Sequence, residues 1–85
     1  MSVIQLYKEH PETYKREILG TITEGQLDFL IDNLEEEFEE DQEYFLVPET
    51  IEYLRDQGAD QDLIRLLERA LTDSSAGVDI GYLIE

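Results

Sequence analysis

The sequence predicts an α+β domain: a small, mostly antiparallel sheet with helices packed on one face, in the element order β-β-α-β-α-α-β. Three observations lead there. Segments of β-branched or alternating character occupy both ends of the chain, at residues 3–7, 14–22 and 78–84. Segments with apolar residues every three or four positions lie between them, around residues 24–40, 48–57 and 61–71. Strands and helices are too intermixed for a helical bundle, and 85 residues are too few for a doubly wound sheet. No internal repeat or long linker divides the chain, so residues 1–85 are read as one domain.

Residues 3–7 are β-branched and aromatic enough for a short strand. His10, Pro11 and Glu12 make a turn, because proline pushes the residue before it out of helical geometry. Residues 14–22 form the second strand of a hairpin, with Ile18 and Ile22 facing one way and Lys15, Glu17 and Thr21 the other. Gly20 inside that strand marks a bulge or a close backbone approach.

The next helix starts with clear signals. Thr23 is a good N-cap, Gln26 completes a capping box, and Ile22 and Leu27 occupy the positions of a hydrophobic staple. Over residues 24–40, Leu27, Leu30, Ile31, Leu34 and Phe38 share one face. Asp28, Asp32, Glu35, Glu36, Glu39 and Glu40 fall on the rest, with Asp41 just beyond. The C-terminal end is unfavourable, because Glu36, Glu39, Glu40 and Asp41 crowd the negative pole of the helix dipole. Four like-charge pairs at i,i+4 cost a further 1–2 kcal/mol on the order of magnitude.

Residues 44–47 read as a short strand. Pro48 suits the first turn of a second helix over 48–57, with Ile51 and Leu54 inward and Gly58 as its stop. Asp60 caps a third helix over 61–71, striped by Leu63, Leu66, Leu67, Ala70 and Leu71. After a polar loop, Val78, Ile80, Tyr82 and Ile84 alternate along a strand with one buried face.

Charge narrows the function. The formal net charge is −16, and residues 23–47 hold ten acids and no base. Repulsion opposes direct binding to nucleic-acid phosphates or anionic lipid. With no cysteine there is neither a disulfide nor a thiolate metal site. The first residues lack a signal-peptide pattern, Ser2 excludes the myristoylation pattern, and no apolar run nears the roughly 20 residues that span a bilayer. The expectation is a cytoplasmic protein.

The acidic face admits four readings: a solvated face, a docking surface for a basic partner, a nucleic-acid mimic, or adaptation to high salt. For the mimic, the stretch from Asp28 to Asp41 would carry one charge per ~2.5 Å if helical, against one per ~1.7 Å in duplex DNA. Calcium loops fail at both acidic starts. From Asp32, Glu37 falls where glycine is required; from Asp56, Gln61 does. Weak, nonspecific divalent binding by the cluster at 35–41 is the remaining metal reading. The helices flanking Gly58 superficially form a helix-turn-helix, but Arg65 and Arg69 lie beside Asp62 and Glu68, which opposes DNA binding. They are read as pairing with carboxylates, those of the acidic helix included. His10 is the only histidine, and no nucleophile elbow, phosphate loop or zinc motif is present. No catalytic residue, metal ligand or cofactor is assigned. Tyr44, Phe45 and Tyr53 are read either as packing or, for one ring exposed beside the acidic run, as a partner anchor.

The segments TEGQLDFLIDNLEEE, EYF, TIEYLRDQGAD and LIRLLERAL resemble small stand-alone acidic bacterial domains of uncharacterised families, over roughly residues 18–72. The resemblance implies a bacterial cytoplasmic protein made of this domain alone and brings no activity with it. The preferred expectation is a noncatalytic interaction or regulatory module binding a basic protein surface through Asp28, Asp32, Glu35, Glu36, Glu39, Glu40 and Asp41. The alternatives are a small carboxylate-based metal-binding protein or enzyme, and a structural homodimer paired through residues 3–7 or 78–84 at a sheet edge.

Overall fold

A computed structural model of the chain describes residues 3–10, 12–34, 38, 42–72 and 76–85. Its elements are β1 (Ile4–Glu9), β2 (Arg16–Ile22), α1 (Glu24–Asn33), β3 (Tyr44–Leu46), α2 (Pro48–Asp56), α3 (Gln61–Ala70) and β4 (Val78–Ile84). This is the predicted α+β order. The four strands form one sheet in the order β2-β1-β4-β3, with every pairing antiparallel. The first and last strands of the chain are therefore its two central strands, so neither of the segments expected to pair at an edge lies at one. The edges are β2 and β3.

Alternation along the central strands separates two faces. Ile4 and Leu6 of β1 and Val78, Ile80 and Tyr82 of β4 are buried with the inward residues of all three helices in one hydrophobic cluster. The other face carries Gln5, Tyr7 and Glu9, paired across the strands with Leu83, Gly81 and Asp79. On the β2 side the register slips: Leu6 opposes Gly20, but Tyr7 opposes Ile18. Leu19 is the extra residue of a bulge, next to the glycine that signals it. The slip changes the facing of the strand. Leu19 and Ile22 are buried, whereas Ile18 is exposed, contrary to the expectation that Ile18 and Ile22 share a face.

The capping box of α1 forms as expected, with Gln26 N–H donating to Thr23 Oγ1 at 3.0 Å and Thr23 N–H to Gln26 Oε1 at 2.9 Å. The helix ends at Asn33, well short of residue 40, because Leu34 turns to extended geometry at φ −82° and ψ 139°. The Asn33 side-chain amide donates to the Phe29 carbonyl at 2.8 Å and satisfies one acceptor of the last turn. Phe38 still reaches the core, from non-helical backbone. Its ring packs edge-on against Tyr82, with centroids 4.8 Å apart, and its carbonyl accepts from Tyr82 O–H at 3.2 Å. Ile31, expected inward, is 41% exposed.

A Schellman motif closes α2: Ala59 N–H donates to the Leu54 carbonyl and Gly58 N–H to that of Arg55. Gly58 sits at φ +92°, the left-handed region that favours glycine. Asp60 then caps α3, accepting from Asp62 N–H at 3.2 Å. Leu63, Ile64, Leu67 and Ala70 of α3 are buried. Among the described residues no helix is long and apolar enough to cross a membrane.

Candidate functional site

Of the residues expected to bind a partner, Asp28 and Asp32 lie exposed on α1. Glu35, Glu36, Glu39, Glu40 and Asp41, and with them the weak divalent cluster at 35–41, lie outside the described residues. A single carboxylate-bearing helix over 24–41 does not exist, since α1 ends at Asn33.

Among the described residues, Arg65 and Arg69, expected to pair with carboxylates, and their neighbour Arg55 make the following contacts. Arg65 Nη1 lies 3.9 Å from Asp62 Oδ1 on its own helix, and Arg55 Nη2 lies 2.9 Å from Glu68 Oε1 across the α2–α3 hairpin. Arg69 Nη1 donates to the Leu19 carbonyl at 3.1 Å.

The three aromatic residues singled out in the sequence do converge. Tyr44, Phe45 and Tyr53 line one open groove of about 530 Å³, together with Asn33, Val47, Glu49 and Thr50. Tyr44 is half-buried, while Phe45 is 56% and Tyr53 48% exposed. Three elements build the site. β3 supplies Tyr44 and Phe45, the end of α1 supplies Asn33, and α2 supplies Glu49, Thr50 and Tyr53. Tyr53 follows Glu49 by four residues and Thr50 by three, so it stacks beside both along one side of α2. Glu49 is the only charged residue among the described residues of the lining.

A polar cluster on the open face of the sheet fixes the chain just before β3. Tyr7 has no exposed surface although it lies on the face opposite the helices. Its ring crosses Gly81 so closely that a Cβ there would sit 2.4 Å from Tyr7 Cζ and Oη. The Tyr7 hydroxyl donates to Glu43 Oε1 at 3.2 Å, and Arg16 Nη2 lies 3.4 Å from the same oxygen. The Arg16 guanidinium carbon stands 4.6 Å from the centre of the Tyr7 ring, a cation–π contact that covers the phenol. Burial first, then the Glu43 charge, push the Tyr7 hydroxyl up to about 12. Glu9 is held above its ordinary range, first by desolvation and then by a hydrogen bond to Glu43 and that group's charge. Arg16 opposes the rise and Asp79 adds to it.

The sequence singles out none of this cluster. The available signal is Gly81 in an interior strand position, which marks a side chain passing over it; that this is Tyr7 follows only from the strand order.

Among the described residues the groove offers aromatic surface, an amide, a hydroxyl and one carboxylate. His10 Nε2 lies 3.5 Å from Glu17 Oε1 at the hairpin turn, on the opposite edge of the sheet. Among the described residues no three His, Cys, Asp or Glu side chains are grouped to hold a metal ion. No family model, curated protein or solved structure matches the chain.

Proposed function

We propose that this protein is a noncatalytic interaction module that binds a basic surface of a partner protein, with the groove beside β3 as its contact site. One observation carries the reading: Phe45 and Tyr53, two large residues left about half exposed, meet in a single groove whose described lining has a carboxylate and no base. Exposed aromatics gathered in a concavity are what an interface uses as anchors, because they bury much area for little loss of side-chain entropy. The surrounding field selects the sign of the partner. At a net charge of −16 the chain attracts basic surfaces and repels acidic ones at distances beyond contact. That steering depends on the summed charge of Asp28, Asp32 and the acids at 35–41, not on a helical arrangement of them.

The test is fluorescence anisotropy with a panel of lysine- and arginine-rich peptides, some helical and some extended. Binding should weaken steeply as ionic strength rises from about 0.01 M to 0.15 M, over which the screening length falls from about 30 Å to 8 Å. Phe45→Ala and Tyr53→Ala should each weaken it by about 2 kcal/mol or more, the cost of losing an interface anchor. Absence of any binding at the lower ionic strength, or variants that bind like the parent, would remove the proposal.

A further inference from the structure

We propose that the groove receives its partner as an added strand, in which an extended basic segment pairs with the outer edge of β3. The proposal rests on the interaction-module reading above and says how that site is filled.

The geometry turns on two neighbouring residues. Successive side chains of a strand point to opposite faces of its sheet. Tyr44 faces the helix side with buried Leu46, and packs against the Phe38 ring at 6.4 Å between centroids. Phe45 faces the other side, where its ring lies over Gly77 so closely that a Cβ there would sit 2.4 Å from Phe45 Cζ. Both residues nevertheless line the same groove. A cavity on either face of the sheet would touch only one of them. The groove therefore runs along the outer edge, and an occupant that touches both rings lies where the next strand of the sheet would, about 4.8 Å away.

The edge is suited to that role. β3 pairs with β4 on one side, and no strand lies on its other side among the described residues. Its outward backbone N–H and C=O groups are a template for another chain. Beyond Val47 the chain turns at once into α2, and Thr50 and Tyr53 wall the groove for the occupant's side chains.

Charge identifies the occupant. Among the described residues the groove holds Glu49 and no base, and it adjoins the stretch of residues 23–47 with ten acids and no Lys or Arg. An extended segment with lysine or arginine at alternate positions complements it. A second copy of this chain would bring two such stretches together against their mutual repulsion.

The experiment uses the isotope-labelled full chain and a short peptide alternating lysine and valine as the probe. Two further versions carry backbone N-methyl groups on one or the other hydrogen-bonding edge. An equally charged helical peptide serves as control. The unmodified peptide should slow hydrogen exchange of outward amides within Tyr44–Leu46. One N-methylated version should bind about tenfold more weakly, as expected when one or two hydrogen bonds are lost, and the other should match the parent. Equal binding by both methylated versions overturns strand addition. So does groove binding by the helical peptide alone, which leaves the module reading standing. Exchange protection of β3 that arises with protein concentration and no peptide also overturns it, in favour of pairing between copies. If no basic peptide binds at low ionic strength, the module reading falls and strand addition falls with it.

Discussion

The two edges of the sheet are built on opposite plans. β2 is seven residues long and carries the devices that protect an edge from stray pairing. A bulge at Leu19 breaks its register, and Arg69 from α3 occupies the carbonyl of that residue. Lys15, Arg16 and Glu17 put charges of both signs at its beginning. β3 has three residues, a continuous register with β4, no base, and an aromatic ring turned to each face. What the contrast teaches is that edge protection is local. Bulge, occupied carbonyl and charge guard the longer β2, whereas shortness is the main restraint on β3, and the groove beside it is where a partner strand fits.

The strongest way to break that contrast is to loosen β3 from the core. Leu46 has no exposed surface and is the buried anchor of the strand. Leu46→Ala should cost about 2–5 kcal/mol in denaturant unfolding, the usual range for a large-to-small core change. Hydrogen exchange should quicken at Tyr44–Leu46 before it does at Arg16–Ile22. Equal loss along both edges would mean that β3 is no separate unit.

A smaller effect is expected at Gly77. Its φ of +141° is one that other residues rarely adopt, and a Cβ there would collide with the Phe45 ring. Gly77→Ala should cost about 1–3 kcal/mol through strain and overpacking. It should also move Phe45 and so weaken binding in the groove, while the exchange of β2 amides stays unchanged. Parent-like stability and binding would show that the Phe45 ring needs no support from Gly77.

Most of this architecture is legible in the residues, for reasons that are local. The alternation of Val78, Ile80 and Tyr82, the Thr23–Gln26 box and the Gly58 stop each report a backbone state through nearby chemistry. The end of α1 is harder to read because apolar spacing reports burial rather than helix. Phe38 continues the spacing and is buried, yet reaches the core from non-helical backbone. The crowding of carboxylates at the negative pole is the relevant signal, and its physical effect is to favour a stop. Ile18 is misplaced because one extra residue in a bulge reverses the facing of everything before it. For the candidate site, Tyr44, Phe45 and Tyr53 are recognisable as rings near an acidic run. Their meeting at an edge depends on β4 lying between β1 and β3, a long-range choice that no neighbouring residue encodes. Burial of Tyr7 by Arg16 and Glu43 depends on the same choice.

That long-range contact yields the smallest predicted effect, and it separates the edges by pH. Glu43 immediately precedes β3 and is held on the open face by Tyr7 and Arg16, with Glu9 beside it and Asp79 adding negative charge from β4. The folded state keeps Glu9 protonated to a higher pH than the unfolded chain does. An acid raised in this way contributes stability that is fully present below its unfolded value, about 4.3, and is lost as pH rises through the folded one. Above that point Glu9 and Glu43 repel each other next to β3. Glu9→Gln keeps a hydrogen-bonding group and has no proton to lose. The variant should therefore gain stability relative to the parent as pH rises from about 4 to 7, by less than either core substitution changes it, because solvent screens the pair. Comparing parent and variant by denaturant midpoints across that window cancels the titration of the other acids. The gain should appear as slower exchange at Tyr44–Leu46 and leave Arg16–Ile22 nearly unchanged. Parallel curves for the two proteins would show that the carboxyl pair does not govern this edge, and a gain spread evenly over both edges would show that the cluster supports the sheet as a whole rather than β3.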